Sequence, residues 1–584
     1  MPDPVQSLTR ILRDAITKAF GAEVASVDPM IRRSAHADYQ ANAAMALGKR
    51  LGKPPREVAA AIVRHLDAGA DAKEICAKVE IAGPGFLNVH LRDEYITREL
   101  VDTAGQGSCG LEPASPIETV VIDYSSPNVA KDMHVGHIRS TILGDCLGRV
   151  LEAVGHRVVR QNHLGDWGTP FGMLLEHLLD VSEGAPATHH SIADLEAFYK
   201  QARAKFDADP AFAERSRRRV VSLQGGDEST LALWRHLVDQ SIKAIGVVYA
   251  ALGVKLTPAD VAGESFYNPL LEGIVKELEE KGLARESEGA ICVFPAGFKG
   301  KEDAPLPLII RKNDGGYGYA TTDLAAIRHR VGTLGATRVI YVVGSPQSQH
   351  FAMVFATAKE AGWLVPPARV EHVAFGSILG ADKKPFKTRS GETIKLMALV
   401  EEAEARARRT VEEKAQDRDP AELAALAKAV GVGAIKYADL SSDRIKDYVF
   451  DWDRMLALEG NTAPYLMYAH ARIRSIFQKA GIAPGAEPPA SAIILGEPSE
   501  KALALELLRF GTVVADVAAS LEPHRLTGYL FELAGAFTSF YEKCPVLRAD
   551  TEEQKASRLA LCDLTAKVLA RGLDLLGIAA PDRM

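Results

Sequence analysis

The chain has no CxxC pair: its six cysteines, Cys76, Cys109, Cys146, Cys292, Cys544 and Cys562, are scattered. That spacing argues against a cysteine zinc site or a dithiol redox motif, and it predicts buried thiols. No uninterrupted apolar stretch approaches the roughly 20 residues needed to span a bilayer. The opening "MPDPVQSLTRILRDAI" also lacks the basic-then-apolar order of a secretion signal. The expectation is therefore a cytoplasmic protein without a membrane segment. No GxxxxGK[ST] occurs, so any nucleotide site is built without a P-loop. Nor is there an excess of positive charge. A formal net charge of −7 argues against a protein that coats nucleic acid indiscriminately, while leaving room for a local basic surface.

What is present is ordinary globular material in quantity. With 584 residues, 47% of them hydrophobic and 25% charged, the chain can bury large cores and divides into roughly three or four domains. Residues 1–115 mix amphipathic helical patterns, "VQSLTRILRDAITKAF" and "REVAAAIVRHLD", with the short strands "KVEIAG" and "FLNVHL" around a GPGF turn. This predicts a small α+β domain. In the next part, 116–390, the β-branched run "TVVIDY" is followed by helical spacing in "GHIRSTILGDCLGRVLEAVGH" and by "RVVRQNHLGDWG". Strand, helix and strand in so short a span predict a βαβ unit and a Rossmann-like, doubly wound parallel sheet, an α/β fold. "RVIYVVG" and "VEHVAFG" would complete the sheet, and the helical, charged stretch at about 175–280 is an insertion. Residues 391–455 form a helical connecting segment, and 456–584 an all-α helix bundle.

The candidate chemistry lies in "SSPNVAKDMHVGH", directly behind the first strand of that sheet. In a doubly wound sheet the helix that follows this strand presents unpaired N–H groups and a favourable dipole to phosphate. His134 and His137, three apart at that helix start, would project from one face and donate to phosphate oxygens as charge moves. Gly136 would leave room for a flat base, and Lys131 adds a cation. The same histidine pair also fits surface residues or metal ligands. Its place behind a strand, with "GDWG" after the next one, favours phosphate. The second element is "KKPFKTRSGETIKL", whose cations and hydroxyls suit departing pyrophosphate and equally suit a solvated basic turn.

Taken together, "SSPNVAKDMHVGHIRSTILGD", "NHLGDWGTPFG", "GYATTDLAAIRHR", "KPFKTRSGETIKL", "GAIKYADLSSDRIKDYVFDWDRMLALEGNTAPYLMYAHARI" and "LLGIAAPDRM" resemble the arginyl-tRNA synthetases of class I. The resemblance runs from the N-terminal domain to the last residue. It implies an arginine–tRNA ligase that activates L-arginine with ATP and Mg²⁺, releases pyrophosphate and esterifies the 3′ end of tRNA(Arg). It further implies a monomer. His134, Gly136 and His137 are similar to the family's ATP-binding HIGH motif. Lys387, Thr388, Arg389 and Ser390 occupy the place of its second signature. There Arg389 stands where a lysine is usual, and Lys131 takes over that cation's work.

The resemblance also supplies an arginine pocket: Asp123 and Asp323 for the guanidinium, Tyr319 beside Asp323 one helical turn away, and Ser126, Asn128 and Gln347 for the amino and carboxylate ends. A planar, permanently charged guanidinium needs such carboxylates when it leaves water. For the tRNA it implies that Phe86 stacks on a base and Asn88 bonds its edge, and that Tyr465, Tyr468 and Arg472 meet anticodon bases and phosphates. Four positions depart from the family pattern: Pro170, Gly344, Pro346 and Met467. Two rival readings are a catalytically inactive synthetase-like RNA-binding protein and an HxGH nucleotidyltransferase that does not use RNA.

Overall fold

A computed structural model describes residues 3–105, 107–182, 187, 194–384, 386, 393–414, 418–483 and 485–584. The N-terminal part sets helices α1 (Pro4–Phe20), α2 (Ala43–Leu51), α3 (Pro55–Ala68) and α4 (Asp93–Gly105) around four strands, β1 (Ile31–Arg33), β2 (Tyr39–Ala41), β3 (Cys76–Ala82) and β4 (Phe86–Leu91). Those strands form an antiparallel sheet in the order β1-β2-β4-β3. α1 begins where its sequence says it should: Asp3 accepts the Val5 N–H at 2.8 Å, with proline in the first turn.

The central sheet positions the site. Strands β5 (Thr119–Asp123), β6 (Arg157–Gln161), β10 (Arg338–Gly344) and β11 (Arg369–Phe375) are all parallel and stand in the order β11-β10-β5-β6. The chain leaves β5 toward β6 on one side and returns to β10 on the other. The order therefore reverses at the β5/β10 crevice, where a ligand fits outside the carboxyl ends of the strands. Asp123 ends β5 opposite Tyr341 of β10 and Gln161 of β6. Helix α5 (Ile138–Ala153), which covers this sheet, is buried at nearly every position. It lies close because Gly144 has no side chain; a Cβ there would run into the Tyr124 ring.

After β6 the described residues include the helices α6 (Pro170–Val181), α7 (Leu195–Ala208), α8 (Pro210–Gln224), α9 (Glu228–Leu252) and α10 (Glu264–Glu280). A separate antiparallel sheet, β7 (Ala284–Ser287), β8 (Ala290–Val293) and β9 (Leu308–Arg311), follows, and then α11 (Tyr319–Gly332). α12 (Ser348–Glu360) links β10 to β11. The remainder is helical: α13 (Leu396–Lys414), α14 (Pro420–Leu440), α15 (Ala463–Lys479), α16 (Pro498–Leu508), α17 (Phe510–Ser520), α18 (His524–Lys543) and α19 (Glu552–Leu575). The α/β architecture with a parallel catalytic sheet, an N-terminal α+β part and a helical C-terminal part is thus as the sequence predicts. The six cysteines are buried and free. Among the described residues no helix is long and apolar enough to cross a membrane.

Candidate active site

His134 caps a single helical turn, Val135–His137, that runs into α5. Each imidazole takes a backbone proton through Nδ1: the Gly136 N–H donates to His134 and the His134 N–H donates to His137, both at 3.1 Å. A ring nitrogen that accepts carries no hydrogen, so in the neutral rings the proton sits on Nε2, which becomes a donor. Burial lowers the proton affinity of His134, an effect the Lys131 cation adds to and Glu196 opposes. For His137, burial and then the neighbouring His134 push it down to about 4. The two rings, with centroids 4.0 Å apart, therefore act as neutral Nε2–H donors near pH 7.

The room expected above Gly136 for a base belongs to the His134 ring instead. A Cβ at 136 would stand 2.8 Å from His134 Cε1 and 2.9 Å from Nδ1. Gly136→Ala is expected to swing that ring away, because the added Cβ and the ring cannot share the space. Shifted His134 ring resonances beside an unchanged thermal midpoint check this.

Lys131 is exposed, with its ammonium 4.4 Å from the centre of the Tyr199 ring of α7. Lys387, Thr388, Arg389 and Ser390 lie outside the described residues. The chain leading on from them is bonded to the histidine segment: Val135 N–H donates to Ile394 O and Leu396 N–H to Met133 O, and Lys395 pairs with Asp132 at 2.5 Å.

The acidic side differs from expectation. Asp123 is buried and both its oxygens are engaged. Oδ2 receives Arg330 Nη2 at 2.7 Å, and Oδ1 receives the Ser126 hydroxyl at 2.9 Å. Arg330, seven residues beyond Asp323 on α11, is fully buried, donates Nε to Gln161 and lies 4.9 Å from the Tyr341 ring centre. Asp123 thus holds an internal guanidinium, and the expected direct grip on a second one is corrected. Asp323 is partly open and bonds His350 Nε2 at 2.6 Å. Glu264, absent from the sequence reading, stands with it. Its carboxyl is pushed up to about 7 by burial and by the nearby Asp166 and Asp323 carboxylates, against a Trp167 N–H that favours the anion. Three acids near one another, Asp166, Glu264 and Asp323, make a place that favours a bound cation. Only "GESFYN", an acidic residue opening a helix, marked Glu264 in the sequence.

At the mouth, Tyr319, Asn128 and Gln347 are exposed, Tyr319 by 76%. Ser126 lies deeper and accepts the His163 N–H. Gln347 caps α12, the helix that carries His350. Gly344 ends β10, and Pro346 sits in the single turn Ser345–Gln347. Pro170 fits the first turn of α6, and Met467 is wholly buried, so both departures occupy positions that suit them.

Away from the sheet, Phe86 is half-buried beside the β3–β4 turn. Asn88, expected to bond a base edge, is buried, and its side-chain oxygen already accepts from the half-buried Gln40 at 2.8 Å. On α15, Tyr468 is exposed and lines a cavity of about 470 Å³ with Met584. Arg472 lies 4.5 Å from the Tyr541 ring centre, and Tyr465 packs on Phe531.

Three family descriptions match the chain: "tRNA synthetases class I (R), catalytic domain" over residues 108–452, "DALR anticodon binding domain" over 466–584, and "Arginyl tRNA synthetase N terminal domain" over 6–91. The chain is 54% identical to an arginine–tRNA ligase of Thermobifida fusca, covering 100% of both, and 50% identical to one of Frankia casuarinae, covering 99% of both. Its structure is similar to the arginyl-tRNA synthetase of Plasmodium falciparum (TM-score 0.84, 30% identity, 99% of each chain). It is also similar to that of Thermus thermophilus (TM-score 0.78, 27% identity, 99% of this chain and 100% of that one).

Proposed function

The chain belongs to the class I arginyl-tRNA synthetases and is an arginine–tRNA ligase that uses ATP, and from that premise we propose how its residues divide the work. The rival readings, an inactive RNA binder or a nucleotidyltransferase without RNA, are not favoured by full-length matches to ligases. The observation that carries the proposal is the pair of neutral Nε2–H imidazoles at the reversal point of the parallel sheet.

ATP lies along the Val135–His137 turn, so that His134 and His137 donate to its phosphates. Glu264 and Asp323 take the guanidinium, Tyr319 closes over its stem, and Asn128, Ser126 and Gln347 orient the other end. The arginine carboxylate then attacks the α-phosphorus and pyrophosphate leaves, after which a terminal ribose hydroxyl of tRNA(Arg) attacks the acyl carbon. No side chain becomes a nucleophile; positioning and charge stabilisation carry the reaction. Mg²⁺ would neutralise the triphosphate. It would be held chiefly by the phosphate oxygens of ATP and by water.

Residues 116–390 carry this chemistry, with Lys387, Thr388, Arg389 and Ser390 on the pyrophosphate. Residues 1–115 and 456–584 bind tRNA through Phe86, Gln40, Tyr465, Tyr468 and Arg472, and 391–455 connect the two. The reading keeps a monomer acting in the cytoplasm, where ATP, arginine and tRNA(Arg) are at hand.

Lys131, beside both histidines, supplies the compact ammonium that the second signature lacks where Arg389 stands in place of a lysine. Lys131→Ala should slow ATP–pyrophosphate exchange by more than about tenfold, a cation at developing phosphate charge being worth a few kcal/mol once water is excluded. Full activity in that variant removes Lys131 from the mechanism.

A further inference from the structure

The loop between β5 and the histidine turn is strained. Ser125, Ser126 and Ala130 all have positive φ, at 70°, 47° and 59°. Such conformations are unfavourable for residues that carry a side chain and persist only where surrounding bonds enforce them. Part of that enforcement comes from α9, the long helix of the insertion. Ser241 Oγ accepts the Ala130 N–H at 3.1 Å while donating to Leu237 O. Tyr249, two turns further on, bonds Ser125 Oγ at 2.7 Å and Asn162 Nδ2 at 3.0 Å.

We propose that Tyr249 is a positioning residue for arginine activation, holding the Ser125–Ala130 loop and the His137 turn through a buried chain of hydroxyls that can run in one direction only. The direction follows from valence. His137 O can only accept, so the Thr141 hydroxyl, 2.8 Å away, donates to it. Thr141 then has no proton left for Ser125 Oγ, also at 2.8 Å, and must accept from it. Ser125 in turn accepts from Tyr249, and Tyr249 accepts from Asn162 Nδ2. At the far end Asn162 Oδ1 accepts the Ser126 N–H at 3.0 Å, which independently fixes the same orientation of the amide. Ser125, Thr141, Asn162 and Tyr249 are each at most 5% exposed, so no water replaces a missing member. Aligned hydroxyls polarise one another, and a gap leaves a buried donor unsatisfied.

The chain thus ties the carbonyl of the second histidine and the backbone of Ser126 to one phenol of the insertion. Position in sequence hides this: Tyr249 and Ser125 are 124 residues apart. The inference rests on the reading that His134 and His137 serve ATP.

The test uses full-length Tyr249→Phe, Thr141→Val, Thr141→Ser, the Tyr249→Phe/Thr141→Val double variant and His137→Ala, measured by ATP–pyrophosphate exchange and by tRNA charging. Tyr249→Phe and Thr141→Val should each lower kcat for activation about tenfold or more, the cost of orphaning a buried polar group, with KM for tRNA within about twofold of the parent. The double variant should cost no more than the worse single one, because both cut the same chain, and Thr141→Ser should recover most of the rate. Retention of the parental kcat by Tyr249→Phe overturns the proposal, as do additive losses or a loss that vanishes when the assay is run well below each variant's thermal midpoint. Activity near the parental level in His137→Ala overturns the underlying reading of the histidines instead.

Discussion

His137→Ala is expected to lower arginine activation about a hundredfold to a thousandfold, the usual cost of removing a preorganised donor from developing charge. The ring is held by its own Nδ1 on the His134 N–H, so no reorganisation is needed as phosphorus is attacked. Arginine binding should change little, since the guanidinium end of the pocket belongs to other elements. The wild-type rate should show no inflection near pH 6.5 from these rings, because burial already keeps both neutral. Their effect on stability has a definite sign. The folded protein binds a proton at His137 only near pH 4, whereas an unfolded chain does so near 6.5. Stability is therefore unaffected above about 6.5 and is lost as pH falls from there toward 4. Single-turnover adenylate formation and thermal melts across pH 4–8 check both statements; activity near the wild-type level in His137→Ala would leave phosphate stabilisation to other groups.

Glu264→Gln is expected to raise the KM for arginine about tenfold to a hundredfold, by deleting a charged hydrogen-bond acceptor worth about 1.5–3 kcal/mol. It should also flatten the pH profile. In the free enzyme this carboxyl keeps its proton up to about pH 7, through burial and the Asp166 and Asp323 charges. A bound guanidinium favours the anion, so arginine binding expels a proton below that pH. Apparent affinity then climbs as pH rises toward 7, by at most about tenfold per unit, and levels off above it. Folding stability moves the other way. The unfolded carboxyl titrates near 4.5, so this group's contribution is fully present below that pH and is lost as pH rises through 7. Glu264→Gln should accordingly stabilise the free enzyme at pH 8 while weakening arginine. His163 lies near Asp166 and His350 bonds Asp323, so the comparison is between variant and parent. An arginine KM with the parental pH slope in Glu264→Gln would rule this residue out as the guanidinium's partner.

How much of this was legible beforehand depends on the range of the interaction. The alternation and β-branching of "TVVIDY", the helical spacing after "HVGH" and the second strand "RVVRQ" are local patterns, and they fixed both the βαβ unit and the end of the sheet at which the histidines sit. Periodicity likewise separated the helical C-terminal part from the mixed N-terminal one. Buried charge behaves differently. Asp123 reads as a free carboxylate, and only folding shows that Arg330, 207 residues away, neutralises it.

The sequence by itself determined the family, the reaction and the end of the parallel sheet at which the two histidines stand, because these are written in short contiguous motifs whose geometry the backbone carries along. Tertiary structure alone decided which acids remain without an internal cation, which phenol holds the strained loop and which side chains of the tRNA-facing parts are buried. Those outcomes depend on which distant elements the sheet order and the insertion bring into contact, and on the cost of leaving a buried polar group unpartnered.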